Sequence, residues 1–218
     1  MFRDRRDAGS KLCDSLESYK NRKDVLVLAL PRGGVVTGFE IASYLHTPLD
    51  VLIVRKIGTP WQPELAAGAI SETGKVVLNQ DVVSGYGISK KYIDDAVAGQ
   101  KEEIARRQKL YRNGKGLTTL EGKIIILVDD GVATGATMKA AIETLKGEMI
   151  RKLVVALPVA PPETADELKR MADEFVCLET PQYFMAVGNH YQDFEQVSDE
   201  EVVRLLEKSR KGEEIGEA

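Results

Sequence analysis

The sequence predicts an α/β fold, a parallel sheet flanked by helices, and three observations carry that reading. Wholly aliphatic runs recur along the chain at Val25–Leu30, Ile124–Val128 and Leu153–Leu157. Strands buried on both faces have this composition, and they belong to parallel sheets. Helical stretches alternate with these runs, so βαβ units with right-handed crossovers are expected. Polar or glycine-rich segments follow two of the runs at once, Pro31-Arg32-Gly33-Gly34 and Asp129-Asp130-Gly131. They fall at the C-terminal edge of the sheet, where open parallel sheets bind ligands.

The 218 residues, 43% of them hydrophobic, suffice for one large α/β domain, and a single domain is expected over 1–218. A net charge of −4 gives no electrostatic case for nucleic-acid binding. The longest apolar run, Val25 to Leu30, is far below the ~18 residues that cross a bilayer. The charged start, Phe2-Arg3-Asp4-Arg5-Arg6-Asp7, is unlike a signal peptide. Cys13 and Cys177 form no CxxC, so free thiols and a cytoplasmic location are expected.

In chain order, residues 4–19 predict an amphipathic helix capped by Asp4 or Asp7, with Ala8, Leu12 and Leu16 on one face. Its charges form a solvated face, from which Arg5 and Arg6 can reach an anion. A strand at 24–30 stops at Pro31, and a helix follows from Val35 to Leu45. Gly33 and Gly34 permit a tight turn and a close approach to a ligand. A third parallel strand is expected at 50–54, with Arg55-Lys56 directly after it. Arg grips a diphosphate as a fork and Lys as a point charge.

Residues 57–68, with Gly58, Pro60, Trp61 and Pro63, lack periodicity and suit a lid. Residues 68–70 and 75–78 predict a hairpin. Glu64 and Glu72 are acidic groups near the site or simply solvated. Ser89 caps a long charged helix to Tyr111, with Ile93, Val97, Ile104 and Tyr111 as a narrow apolar stripe. That stripe also suits a second subunit, as in a homodimer. A strand at 153–157, a helix at 163–172 and a short strand at 175–178 follow. The polar-aromatic segment 181–197 comes next, and Ser198–Glu201 reads as a capping box for a last helix. Residues 210–218 are expected to fray.

The run Ile124 to Thr137 combines a buried strand, an acidic pair, a turn of small residues and a helix start with Met138, Ala141, Ile142 and Leu145 on one face. Amides of Gly131, Val132, Ala133, Thr134, Gly135, Ala136 and Thr137, backed by the helix dipole, form an anion cradle. The Thr134 and Thr137 hydroxyls can donate to the same anion. Asp129 and Asp130 would repel a phosphate, but they accept hydrogen bonds from vicinal sugar hydroxyls. The chemistry points to a sugar 5-phosphate. No G-x-x-x-x-G-K occurs, which argues against a nucleotide triphosphatase.

Val128-Asp129-Asp130-Gly131-Val132-Ala133-Thr134-Gly135-Ala136-Thr137 resembles the phosphoribosyl-diphosphate (PRPP) motif of the type I phosphoribosyltransferases. The chain as a whole looks most like their stand-alone bacterial and archaeal members whose acceptor is not established. The resemblance implies a Rossmann-like parallel sheet with a mobile lid and hairpin at 57–80 and a small C-terminal hood at 181–197. It implies transfer of a 5-phosphoribosyl group from PRPP to a nitrogen acceptor, as in nucleotide salvage, with release of diphosphate. Asp129, Asp130, Arg55 and Lys56 would be catalytic. Arg32, Gly33 and Gly34 would hold the diphosphate. Mg2+ would accompany PRPP, with Asp129 and Asp130 as its protein contacts. Phe184 and Asp193 fall roughly where other members stack and read the acceptor. Hypoxanthine-guanine members carry Asp at the position of Ala133, and Ala cannot transfer a proton, so an ordinary hypoxanthine or guanine enzyme is not expected. Some family members sense PRPP without turning it over, which is the alternative reading.

Overall fold

The computed structural model describes residues 1–63 and 65–216. In chain order its strands are β1 (Val25–Ala29), β2 (Leu49–Val51), β3 (Val54–Gly58), β4 (Ala66–Ser71), β5 (Val76–Leu78), β6 (Ile124–Val128), β7 (Lys152–Val159) and β8 (Glu174–Glu179). Its helices are α1 (Arg5–Cys13), α2 (Gly33–Leu45), α3 (Gln80–Gly85), α4 (Lys90–Arg112), α5 (Ala136–Leu145), α6 (Pro162–Met171) and α7 (Asp199–Gly216). The chain divides into two compact units. Met1–Val51, Leu117–Gly135 and Glu148–Ala218 make the first, and Leu52–Gly116 with Ala136–Gly147 make the second.

The first unit holds the parallel sheet that the aliphatic runs predict. Its order is β2-β1-β6-β7-β8, and every neighbouring pair is parallel. Every residue of β1 and β6 is buried. Aliphatic side chains removed from water in this way stabilise a fold by ~1.5–3 kcal/mol each. Helices α1 and α2 pack on each other and against the sheet, α7 covers α2 and β2, and α6 lies along β8.

Asp4 caps α1 by accepting the Asp7 amide at 2.8 Å. The helix expected over 4–19 is α-helical only to Cys13 and continues as a 3-10 helix from Asp14 to Tyr19. The Ser198 hydroxyl accepts from the Glu201 amide at 3.1 Å, half of the expected capping box. Helix α7 runs to Gly216, so residues 210–216 continue it where fraying is expected, and 217–218 lie outside the described residues. Cys13 and Cys177 are free, and burial pushes both thiols up to about 11.

The second unit is built on an antiparallel sheet, β3-β4-β5, with α4 and α5 packed against it. The β4–β5 hairpin is where the sequence places it, turning through Gly74. The strand expected at 50–54 is corrected. Strand β2 ends at Val51, and Arg55 and Lys56 lie within β3 rather than in a loop after a parallel strand. The run from Leu49 to Val54 is buried throughout, so its hydrophobic pattern carries no mark of where one strand stops and the next begins. The connection expected as a lid over 57–68 shortens to 59–65, because its two ends belong to β3 and β4. Glu64 lies outside the described residues.

Ser89 caps α4 as expected, accepting the Tyr92 amide at 3.2 Å. The stripe residues Ile93, Ile104 and Tyr111 are buried, and α4 packs on β3 and β4. The stripe is therefore used within the unit. Glu72, expected near the site or on a solvated face, is neither. It receives Arg112 at 2.5 and 3.0 Å, the Ile53 amide at 2.8 Å and Gln108 Nε2 at 3.1 Å. The Glu72 and Arg112 side chains are only 1% and 3% exposed. No helix among the described residues is long and apolar enough to cross a membrane.

Candidate active site

The sheet order sets where the site forms. From β1 the chain passes to β2 on one side, while β6 pairs on the other, so the connections leaving β1 and β6 diverge. Such a switch point opens a crevice at the C-terminal ends of the strands. Ala29 is in register with Val128, and the Leu30 amide donates to the Val128 carbonyl at 2.9 Å. The segment after β1 and the acidic pair after β6 therefore leave the sheet side by side.

Helix α2 starts at Gly33, so the connection from β1 is shorter than expected, and the Pro31–Arg32 peptide is cis. Both glycines are needed for close approach. A Cβ on Gly33 would fall 1.9 Å from Asp130 Oδ2 and 2.8 Å from Arg5 Nε. A Cβ on Gly34 would fall 2.9 Å from Asp129 Cα. The turn and the acid pair are thus in direct contact.

Asp129 Oδ1 accepts the Asp130 amide at 2.8 Å. Asp130 Oδ2 accepts from Arg5 Nε at 2.6 Å, with side chains 14% and 11% exposed. The Tyr191 hydroxyl donates to the Asp130 carbonyl at 2.5 Å. Burial, and then the charge of Asp130, raise the Asp129 carboxyl well above the usual carboxylate range. The phenol of Tyr191 is also pushed up, mainly by burial and next by Asp130. The Arg5 guanidinium, 2.6 Å from Asp130 Oδ2, offsets the charge of one of the two adjacent carboxyl groups.

The loop after the pair is tighter than a free anion cradle. Gly131 has φ 141°, and a Cβ there would fall 2.7 Å from Val187 Cγ1. The Val132 amide is taken by the Val159 carbonyl at 3.0 Å. Val132 therefore drops out of the cradle expected over 131–137, because the loop must be tied to β7 to hold its shape. Thr164 Oγ1 donates to the Ala133 carbonyl at 2.8 Å, while Ala133 and Thr134 remain exposed. Gly135, at φ 70°, closes the first unit. Ala136 and Thr137 open α5 in the second, and the first amides of any helix lack intrahelical partners.

A cavity of about 340 Å³ beside the pair is lined by Arg5, Arg32, Gly33, Phe194, Gln196 and Val197. The expected acceptor residues lie elsewhere. Phe184 stacks on His190 with centroids 5.2 Å apart and packs against the cluster of Phe2, Ala8, Val159 and Tyr191. Asp193 is exposed and accepts the Glu195 amide at 3.2 Å. Phe194 lines the cavity instead, with the Arg5 guanidinium 3.8 Å above its ring. Tyr191 and Gln196 have no signal in sequence spacing, and Arg5, read only as able to reach an anion, meets Asp130 across 125 positions.

In the second unit, Arg55 and Lys56 line a cavity of about 410 Å³ with Thr59, Pro60, Tyr92 and Gln100. Arg55 Nε donates to Gln100 Oε1 at 2.9 Å. Burial, and then the nearby charge of Arg107, lower the Arg55 guanidinium. The loop 59–65 is braced internally: Thr59 Oγ1 donates to the Gln62 carbonyl at 2.8 Å, and the Thr59 amide donates to the Leu65 carbonyl at 3.0 Å. Trp61 stands out from it, 71% exposed.

Among the described residues no group of three or more His, Cys, Asp or Glu side chains could hold a metal. The pair Asp129–Asp130 supplies hard oxygens of the kind Mg2+ takes, but too few without oxygens from a ligand and water.

The model of the phosphoribosyl transferase domain matches residues 6–193. Two curated relatives from Mycobacterium tuberculosis, strains CDC 1551 / Oshkosh and H37Rv, have names that place them among the phosphoribosyl transferases. Each is 46% identical over 211 residues, 97% of this chain. The chain spans about half of their length, 47%. The crystal structure of TT1426 from Thermus thermophilus is similar with a TM-score of 0.81 at 42% identity, covering 95% of this chain and 98% of that one. The fold, the acid pair at the switch point and the match over most of the chain agree, and the chain belongs to the phosphoribosyl transferase domain family.

Proposed function

We propose that the protein transfers a 5-phosphoribosyl group from PRPP to a nitrogen acceptor, releasing diphosphate. The observation that carries this is the contact between the acid pair and the Gly33–Gly34 turn at the switch point of the sheet. The ribose hydroxyls donate to Asp129 and Asp130. The 5-phosphate takes the amides of residues 133–137 and the hydroxyls of Thr134 and Thr137. Arg32, with Gly33 and Gly34, holds the diphosphate, and the carboxylates stabilise positive charge developing on the ribose ring. Mg2+, held by Asp129 and Asp130 with oxygens of PRPP, would offset charge on the diphosphate. The roles of Arg55 and Lys56 on the diphosphate rest on the family resemblance alone.

The cavity beside Arg32 and Phe194 is the acceptor's place in this reading, rather than Phe184 and Asp193. Incubation with Mg2+, PRPP and a metabolite pool, followed by mass spectrometry, tests the proposal. Phosphoribosylated product and diphosphate are expected. Binding of PRPP without any product would indicate a sensor, and no binding would remove PRPP from the protein.

Trp61 serves as a reporter of loop 59–65, because it is the sole tryptophan and is exposed. If that loop closes as a lid, PRPP with Mg2+ shifts the indole emission to shorter wavelength as it saturates. Ribose 5-phosphate, lacking the diphosphate, gives little shift. An emission maximum that stays at its water-exposed position, with binding shown by calorimetry, would mean that the loop does not close over the ligand.

A further inference from the structure

Helix α1 reaches the acid pair through Arg5. Phe2 and Tyr191 form a parallel bridge. The Phe2 amide donates to the His190 carbonyl, the Gln192 amide to the Phe2 carbonyl and the Asp193 amide to the Arg3 carbonyl, each at 2.8 Å. Arg5 sits at the start of α1, just beyond this ladder, and divides its guanidinium among three groups. Nε donates to Asp130 Oδ2 at 2.6 Å, Nη1 donates to the Glu195 carbonyl at 2.8 Å, and the guanidinium lies over the Phe194 ring at 3.8 Å. One residue therefore touches the sugar-side carboxylate and two residues of the segment beside the acceptor-side cavity.

We infer that Arg5 is a positioning residue that sets Asp130 for the ribose hydroxyls and couples it to segment 191–197; this rests on the PRPP reading above. A carboxylate offers about four acceptor sites. Arg5 occupies one on Oδ2, which leaves the others for sugar hydroxyls while the plane of the group is held. A charge-assisted bond of this kind keeps the carboxylate oriented beside Asp129. Lysine in the same place retains the charge but lacks the planar fork that reaches Asp130 and Glu195 together, and it lacks the flat face laid on Phe194. The two functions of Arg5 can therefore be separated by substitution.

The test uses the full chain and the variants Arg5→Gln and Arg5→Lys. PRPP binding with Mg2+ is measured by calorimetry. Hydrogen exchange of the Phe2, Gln192 and Asp193 amides is measured in the free protein. Arg5→Gln is expected to weaken PRPP ~10-fold or more, the scale of one lost charge-assisted bond, and to speed exchange at these amides. Arg5→Lys is expected to recover most of the PRPP affinity while exchange stays fast. That split is the signature of positioning, since a merely structural loss would move both readings together in both variants. Wild-type-like PRPP affinity in folded Arg5→Gln overturns the inference, as does Arg5→Lys with both readings restored. Failure of the wild-type chain to bind PRPP overturns the PRPP reading and this inference with it. That result is distinct, because it appears before any substitution is made.

Discussion

The double substitution Asp129→Asn with Asp130→Asn is expected to leave the chain folded and to weaken PRPP binding by ~10–10²-fold, one loss of ~1.5–3 kcal/mol for hydrogen bonds to the ion-paired Asp130 at about 1.4 kcal/mol per decade. Asn keeps the shape and one acceptor oxygen, so the Asp130 amide and Arg5 Nε retain partners in the positions they occupy now. At position 130 only the charge is lost. The fold tolerates the change partly because Asp129 is held above its ordinary range by burial and by Asp130.

The sign of that shift has a consequence for stability. At a pH above the ordinary aspartate range, the unfolded chain has lost its Asp129 proton while the folded chain keeps it. Stability contributed by this residue therefore falls as pH rises through that window, up to the raised folded value. Asn at 129 has no proton to lose, and its variant should show a flatter stability profile over the same window. Calorimetric titration and thermal unfolding across pH make the two measurements. Unchanged PRPP affinity in the folded double variant would remove the acids from the site.

Glu72→Ala is expected to destabilise the second unit by ~3–5 kcal/mol, the cost of removing one partner from a buried ion pair. Arg112, 3% exposed, would lose both of its bonds to Glu72. The Ile53 amide and Gln108 would lose an acceptor as well. Glu72→Gln keeps an oxygen for the Ile53 amide and should cost less. Urea unfolding followed by far-UV circular dichroism measures both. A loss below ~1 kcal/mol for Glu72→Ala, the level of an exposed pair, would show that Arg112 relaxes into water.

The parallel sheet, most helix caps and the acid pair at the C-terminal end of a buried strand were legible in the residues alone. These are local properties. An unbroken aliphatic run needs a sheet covered on both faces, and Ser89 caps α4 through a partner three residues away, the Tyr92 amide. The Gly-rich turn was legible as a place of close approach to a ligand, but the groups that stand against the two glycines are Asp129 and Asp130.

Three further matters became visible only in the folded chain. Strand β2 stops at Val51 and β3 restarts at Val54 inside one continuous buried run, so Arg55 and Lys56 belong to a separate antiparallel sheet. Glu72 is a buried ion-pair partner rather than a solvated acid because α4 returns Arg112 to it across 40 positions. Arg5 meets Asp130 across 125 positions, and nothing in residue spacing marks such a pair. Periodicity and capping follow from the chain's local geometry. Which charges meet in the interior depends on how distant segments pack, and local geometry does not specify that.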